Sequence, residues 1–302
     1  MPQIGDFLAR RFPQQSVWAS HFDELLSAYE SSGLADRHLV AEVTSGDDGK
    51  LCARVWEAML YRHLSTLGFE FRKTDVMKSG NPGPDFCIVH KGQIIWIEAV
   101  TPAPEGILQD WLAPPILGEL KMASKPYEQM LLRWTSVLKD KRDKLKSYVE
   151  KNIVDPKDCT VIAINSCRLS DFAKDDLGNS RFPFAVEAVF TVGPLAYPIT
   201  QDGQPGGEPR NIPRHTIQKP NSKDIPKDIP TGNFLDPCYA NVSAIVGCYQ
   251  KDIINGALSL TVVHNPLARV PLPRGILGAN KEYVADVKGD HYILRPLSQT
   301  SA

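Results

Sequence analysis

Apolar residues recur at helical spacing in three stretches of this chain and run almost without interruption in several others. Trp18, Phe22, Leu25 and Leu26 predict a helix within a polar first fifty residues, broken at Ser31-Ser32-Gly33. Ala53, Trp56, Leu60, Leu64 and Leu67 predict a second helix from about 51 to 67, stopped by Gly68. The β region that follows starts with weak alternation over 69–74 and a Gly/Pro-rich turn over 78–84. A strand is then predicted over 85–89, a hairpin loop at His90-Lys91-Gly92-Gln93, and a strand over 94–100. This last run is continuous enough to predict a central strand buried on both faces. Prolines 102, 104, 114 and 115 predict a loop, residues 127–152 a long helix, and 160–165 another buried strand. Further strands are predicted at 185–192, 242–249, 258–264, 282–287 and 291–294. Between them, residues 196–236 are rich in Pro and Gly, with Lys-Asp-Ile-Pro in tandem over 223–230, and predict a flap or disordered insertion. No large-scale repeat is present.

A helix feeding a buried strand marks an α/β core. The chain divides into an N-terminal helical extension (1–50), an α/β core (51–195), the Pro/Gly-rich segment (196–236) and a C-terminal β region (237–302) expected to pack on the core. The 302 residues are ample for a sizeable core, and 42% hydrophobic with 23% charged residues is ordinary for a globular chain. A formal charge of −1 gives no global attraction to polyanions, so any nucleic-acid site must be a local patch. No apolar run reaches the length of a membrane span, and the first residues lack the apolar core of a secretion signal. The expectation is a cytoplasmic protein without membrane association. The six cysteines form no C-x-x-C pair and are expected to be reduced, mostly buried small hydrophobes.

Three carboxylates stand out. Asp85 and Glu98 lie on adjacent predicted strands joined by a short hairpin, which brings them close if the register allows. Glu98 interrupts an apolar strand, where a carboxylate is costly unless paired, hydrogen-bonded or bound to metal. Two converging carboxylates suit a hard cation such as Mg²⁺. Glu57 shares a helical stripe with Ala53, Leu60 and Leu64; the plain alternative is a helix-rim glutamate paired with Arg54 or Arg62.

A helix glutamate, then Pro84-Asp85, twelve residues, then Glu98-Ala99-Val100 resembles the PD-(D/E)XK nuclease superfamily. So does the order helix, three strands, helix, strand. The resemblance covers roughly residues 50–170. It implies a restriction-endonuclease-like core, a mixed central sheet flanked by helices, elaborated here by N-terminal helices and a C-terminal β extension. It implies Mg²⁺- or Mn²⁺-dependent phosphodiester hydrolysis, with DNA the favoured nucleic-acid partner. Asp85 and Glu98 would ligate the metal, Glu57 would complete the shell or hold a metal-bound water, and the main-chain carbonyl of Ala99 would add a ligand. The family lysine two residues after the second acid is Val100 here. In the superfamily that lysine can come from the following helix, where Arg133, Val137, Lys141, Lys144 and Tyr148 share one face. Lys141 is the first candidate and Lys144 the second, to orient the attacking water or stabilise transition-state charge. Many such nucleases act as dimers, which leaves a homodimer open.

Residues 121–151 hold nine Lys+Arg against four Asp+Glu, a local excess of five. Arg133, Lys139, Arg142 and Lys146 are therefore candidates for phosphate-backbone contact. A solvated helix face with an ordinary Asp140–Lys144 pair stands equally open. Arg210, Arg214, Lys219, Lys223 and Lys227 could bring the flap over nucleic acid, and Thr101 could bind phosphate or cap its loop. Gly46-Asp47-Asp48-Gly49-Lys50 lacks the phosphate-loop spacing and is assigned to a turn. Two rival readings remain. One is a degenerate nuclease fold that binds without cutting, favoured by Val100. The other is a structural or interaction protein in which Glu98 pairs with a buried base such as Arg133.

Overall fold

A computed structural model describes residues 4–73, 83–113, 124–170, 176–220, 226–251, 257–289 and 291–297. The predicted turn over 78–82, Pro114, Pro115 and Lys223 lie outside them. The chain is α/β, with an eight-stranded mixed sheet between two helical layers. In chain order the elements are α1 (Ile4–Arg11), α2 (Ser16–Ser31), α3 (Leu39–Val43), α4 (Asp48–Thr66), β1 (Glu70–Phe71), β2 (Phe86–His90), β3 (Gln93–Val100), α5 (Gln109–Leu112), α6 (Tyr127–Glu150) and β4 (Cys159–Asn165). They continue as α7 (Phe184–Glu187), β5 (Val192–Ala196), β6 (Arg210–Pro213), β7 (Thr216–Lys219), β8 (Lys227–Pro230), β9 (Ala244–Cys248), β10 (Thr261–His264), β11 (Lys281–Lys288) and β12 (His291–Pro296). The sheet order is β1-β2-β3-β4-β9-β10-β11-β12. The C-terminal strands thus extend the central sheet through a parallel β4–β9 pairing, where packing onto the core was expected.

Local chemistry explains the ends of the elements. The segment assigned to a turn begins α4: the Asp47 carboxylate accepts from the N–H groups of Gly49 (2.7 Å) and Lys50 (3.1 Å), two donors a helix start leaves unpaired. At the other end Gly68, at φ +77°, lets Phe69 N–H reach the Leu64 carbonyl and its own N–H the Ser65 carbonyl, a Schellman closure. Lys91 (φ +48°) and Gly92 (φ +82°) form the two-residue loop between β2 and β3, with the positive dihedrals that match the twist of a hairpin.

Alternation across the sheet divides the core. Phe86, Ile88, Ile95, Ile97, Val161 and Ala163 face α1–α4. Cys87, Trp96, Ile162, Ile164, Ile245 and Val263 face α6 and α7. β3 pairs antiparallel with β2 and parallel with β4, and α6 is the crossover between the parallel pair.

Two expectations are corrected. The apolar run over 185–192 is not a strand: the short α7, entered from Pro183, takes its first residues up to Glu187, a buried turn follows over 188–190, and only Val192 begins β5. A short continuous apolar run fits a buried helical turn as well as a strand. The Pro/Gly-rich segment is not a disordered loop over its described residues. It forms two small antiparallel pairs, β5–β6 and β7–β8, and Ile217 of β7 is buried against the α6 layer.

Candidate active site

The β2–β3 register pairs Phe86 with Ile97, so one residue further sets Asp85 opposite Glu98. Alternation puts both on the α6 side of the sheet, the side of Cys87 and Trp96. Asp85 Oδ2 accepts from the Ala99 N–H at 2.6 Å. Glu98 is completely buried. Its Oε1 accepts from both the Lys141 and the Lys144 ammonium, each at 2.6 Å. Its Oε2 is buried and accepts no hydrogen bond among the described residues. Thr101 Oγ1, three residues along the chain, is in the same condition.

α6 therefore brings to Glu98 the two lysines that the resemblance pointed to on this helix, and Lys144 meets Glu98 rather than Asp140. Lys141 is the more enclosed, with 19% of its side chain exposed against 42% for Lys144. Val100 shares their sheet face and brings only apolar packing there. Tyr148, one turn beyond Lys144, donates its hydroxyl to the Gly83 carbonyl at 3.0 Å and lies 5.6 Å from the Lys144 ammonium. It thus ties α6 to the approach to Asp85.

Burial and the neighbouring Glu98 carboxylate push Asp85 up to about 7, opposed by Lys141, the Ala99 N–H and Lys144. Lys144 is raised because Glu98 beside it outweighs the cost of burial. Counting ionised forms, the two carboxylates and two ammonium groups cancel.

Glu57 is placed elsewhere. α4 packs on the opposite face of the sheet, and Glu57 Oε2 is bonded to Arg54 at 2.8 Å and to the Tyr29 hydroxyl at 3.4 Å. The Arg54 alternative is the pairing present; Arg62 meets Glu24 instead. Arg54 also serves Asp36 and Glu42, three carboxylates on one guanidinium. Burial, then the Asp85 charge, pushes Glu57 up to about 8 despite that partner. Asp85 thus stands electrostatically between the two glutamates, but the three do not form one ligand set. Among the described residues no group of three or more His, Cys, Asp or Glu could hold a metal ion. Mg²⁺ needs less, since it keeps several waters and is commonly held by one or two carboxylates. Asp85 and the unpartnered Oε2 of Glu98 fit that demand; Glu57 does not.

The other basic candidates meet acids. Arg133 pairs with Glu105 at 3.1 Å rather than with Glu98, Lys139 and Arg142 both meet Asp143, and Lys146 lies 3.8 Å from Glu150. Arg142 also stacks 4.6 Å over the Tyr239 ring. Arg133, Lys139 and Arg142 nevertheless line one groove of about 770 Å³ with Lys219 and Lys227 of the β7–β8 pair. Of the remaining flap cations, Arg214 is committed to the buried Glu187. The groove and its Asn233 and Tyr239 walls were not legible beforehand, because they depend on how the flap folds back onto α6.

No family model, curated protein or solved structure matches this chain. Among the described residues no helix is long and apolar enough to cross a membrane.

Proposed function

We propose that the chain is a metal-dependent nuclease of the PD-(D/E)XK superfamily, with a restriction-endonuclease-like core, acting on DNA phosphodiesters. The observation that carries this reading is the pair of lysines on α6 meeting Glu98 Oε1, with Asp85 across the hairpin on the same face. An acid pair at a hairpin with lysine supplied from the next helix is the arrangement the resemblance requires once Val100 replaces the family lysine. The order α4, β1, β2, β3, α6, β4 agrees with it, the four-residue α5 lying in the loop between β3 and α6.

Asp85 and Glu98 would hold Mg²⁺ or Mn²⁺, which when bound neutralises phosphate charge and lowers the pKa of a coordinated water. Lys141, the more enclosed ammonium, orients Glu98. Lys144, the more open one, can leave Glu98 to meet the phosphate and stabilise its developing charge. The cations of the α6–flap groove offer backbone contacts along a strand. Asp85, near 7, must lose its proton before it can serve as a ligand.

One observation favours a binder that does not cut. Two lysines already balance Asp85 and Glu98, so the site is neutral without a dication. Incubation of the purified chain with plasmid, linear and single-stranded DNA and with RNA, in Mg²⁺, Mn²⁺ or EDTA, separates the two readings. Metal-dependent cleavage that disappears in Asp85→Ala and Glu98→Gln is the expected outcome. Salt-dependent binding without cleavage on every substrate would establish the degenerate binder. Neither cleavage nor binding would leave the acid–lysine cluster a structural ion network.

A further inference from the structure

A second cavity, of about 430 Å³, lies on the α1–α4 face, away from the acid–lysine site. It is lined by residues of α1, α2 and α4 and of the loops after β4 and β9. Two thiols border it. Cys52, half-buried, stands on α4; Cys167, buried, is in the loop that follows β4. The two segments are pressed together: a Cβ added at Gly49, one turn before Cys52, would come 2.8 Å from the Arg168 guanidinium. The Cys167 loop is fixed by its own backbone, because Cys167 N–H donates to Asn165 Oδ1 (3.1 Å) and Ser166 N–H to the Cys248 carbonyl (2.8 Å). The neighbouring Cys167 thiol brings Cys52 down to about 7 against the effect of burial, helped by Arg168, Lys251 and Arg11, while Cys167 is pushed up. Asp48, also at the cavity, is paired with Arg11.

We propose that Cys52 and Cys167 form a peroxide-responsive dithiol, in which Cys52 attacks the oxidant and Cys167 resolves the product as an intramolecular disulfide. A low-pKa, accessible thiolate beside a resolving thiol is the arrangement that reacts with peroxide. In the first step the Cys52 thiolate attacks one oxygen of hydrogen peroxide. The O–O bond breaks, Cys52 becomes a sulfenic acid, and hydroxide leaves. In the second step the Cys167 sulfur attacks the Cys52 sulfur. The S–O bond breaks, an S–S bond forms, and the Cys167 proton leaves with the hydroxyl as water. Two thiols are oxidised by two electrons and one peroxide is reduced to two waters. The bond would fasten α4 to the end of β4 across a long loop, which stabilises the fold.

The test uses the full chain with exposed Cys238 changed to serine, so that no intermolecular bridge forms there. Hydrogen peroxide should give one monomeric product carrying a Cys52–Cys167 linked peptide, reversed by dithiothreitol, with Tm raised by several degrees. At pH 7, iodoacetamide should modify Cys52 about tenfold faster than any other cysteine, as its thiolate fraction dictates. Cys52→Ser should abolish the link, and in Cys167→Ser, which keeps a hydrogen-bond donor beside Cys52 but cannot resolve, dimedone should trap a sulfenic acid on Cys52. A bridge between Cys167 and Cys248, over-oxidised Cys52 without a bridge, or no reaction with peroxide would each overturn the proposal.

Discussion

Glu98 and Glu57 are both buried carboxylates, and they lie on opposite faces of one sheet. Glu98 has two ammonium groups on a single oxygen, and its other oxygen accepts no hydrogen bond among the described residues. Glu57 has one guanidinium, shared with Asp36 and Glu42, and a tyrosine hydroxyl on that same guanidinium-bound oxygen. The first belongs to a pair of carboxylates matched by two cations, and the second shares one cation with two other acids. A buried acid whose counter-ions both meet one oxygen can offer the other oxygen to a ligand. One that shares its counter-ion is driven toward the neutral form, which is a structural state. Burial of a carboxylate in an apolar element therefore does not by itself mark a site; the balance of its partners does.

The sharpest way to break this comparison is through cleavage. Asp85→Ala should reduce metal-dependent DNA cleavage about a thousandfold or more, the loss expected when several kcal/mol of charge stabilisation go with a ligand. Glu57→Gln should leave it within about tenfold. Equal losses in the two variants would put Glu57 back into the metal shell.

Stability gives the next largest contrast. Glu98→Ala leaves the enclosed Lys141 and the more open Lys144 without their acid and should cost on the order of 3 kcal/mol in urea unfolding at pH 7. Glu57→Gln should change stability by less than about 1 kcal/mol at that pH, because much of Glu57 is already protonated there.

The pH dependence follows from the same shifts. Both Asp85 and Glu57 have raised folded values, so the folded chain binds their protons more tightly than the unfolded chain does. Their contributions are full below the ordinary carboxylate range. They are lost as pH rises to about 7 for Asp85 and about 8 for Glu57. Thermal unfolding should show stability falling over that window, and the fall should be smaller in Glu57→Gln and in Asp85→Asn. The smallest expected effect is Mg²⁺ stabilisation: a modest rise in Tm at pH 8, less at pH 6, and none in Asp85→Ala.

Much of this architecture was legible in the chain. The Ala53–Leu67 stripe, the near-continuous run over 94–100 and the Gly92 turn each carried one dominant signal, and α4, β3 and their hairpin lie close to where those signals set them. The Lys141 and Lys144 positions were legible because the resemblance moves the missing lysine to the following helix, where helical spacing sets them on one face with Arg133, Val137 and Tyr148. Three features were not. The Phe184–Val192 run has no periodicity to separate helix from strand. The Pro/Gly segment folds through long-range contacts such as Arg214–Glu187 and Ile217 against the α6 layer, which composition does not reveal. The Glu57 stripe gave its helix face correctly but not the side of the sheet on which that helix would pack.

The parallel seam between β4 and β9 joins strands separated by nearly eighty residues. Every residue of β4 is buried and most are apolar, so until β9 has been synthesised this strand carries an open, largely apolar edge. That is the kind of surface that recruits strands from other molecules. A ribosome releasing this chain would expose β4 through the synthesis of the entire flap. The order of manufacture therefore makes the first half of the molecule dependent on the last third for its solubility, and a fragment ending soon after Asn165 should aggregate even though it holds all four of Asp85, Glu98, Lys141 and Lys144.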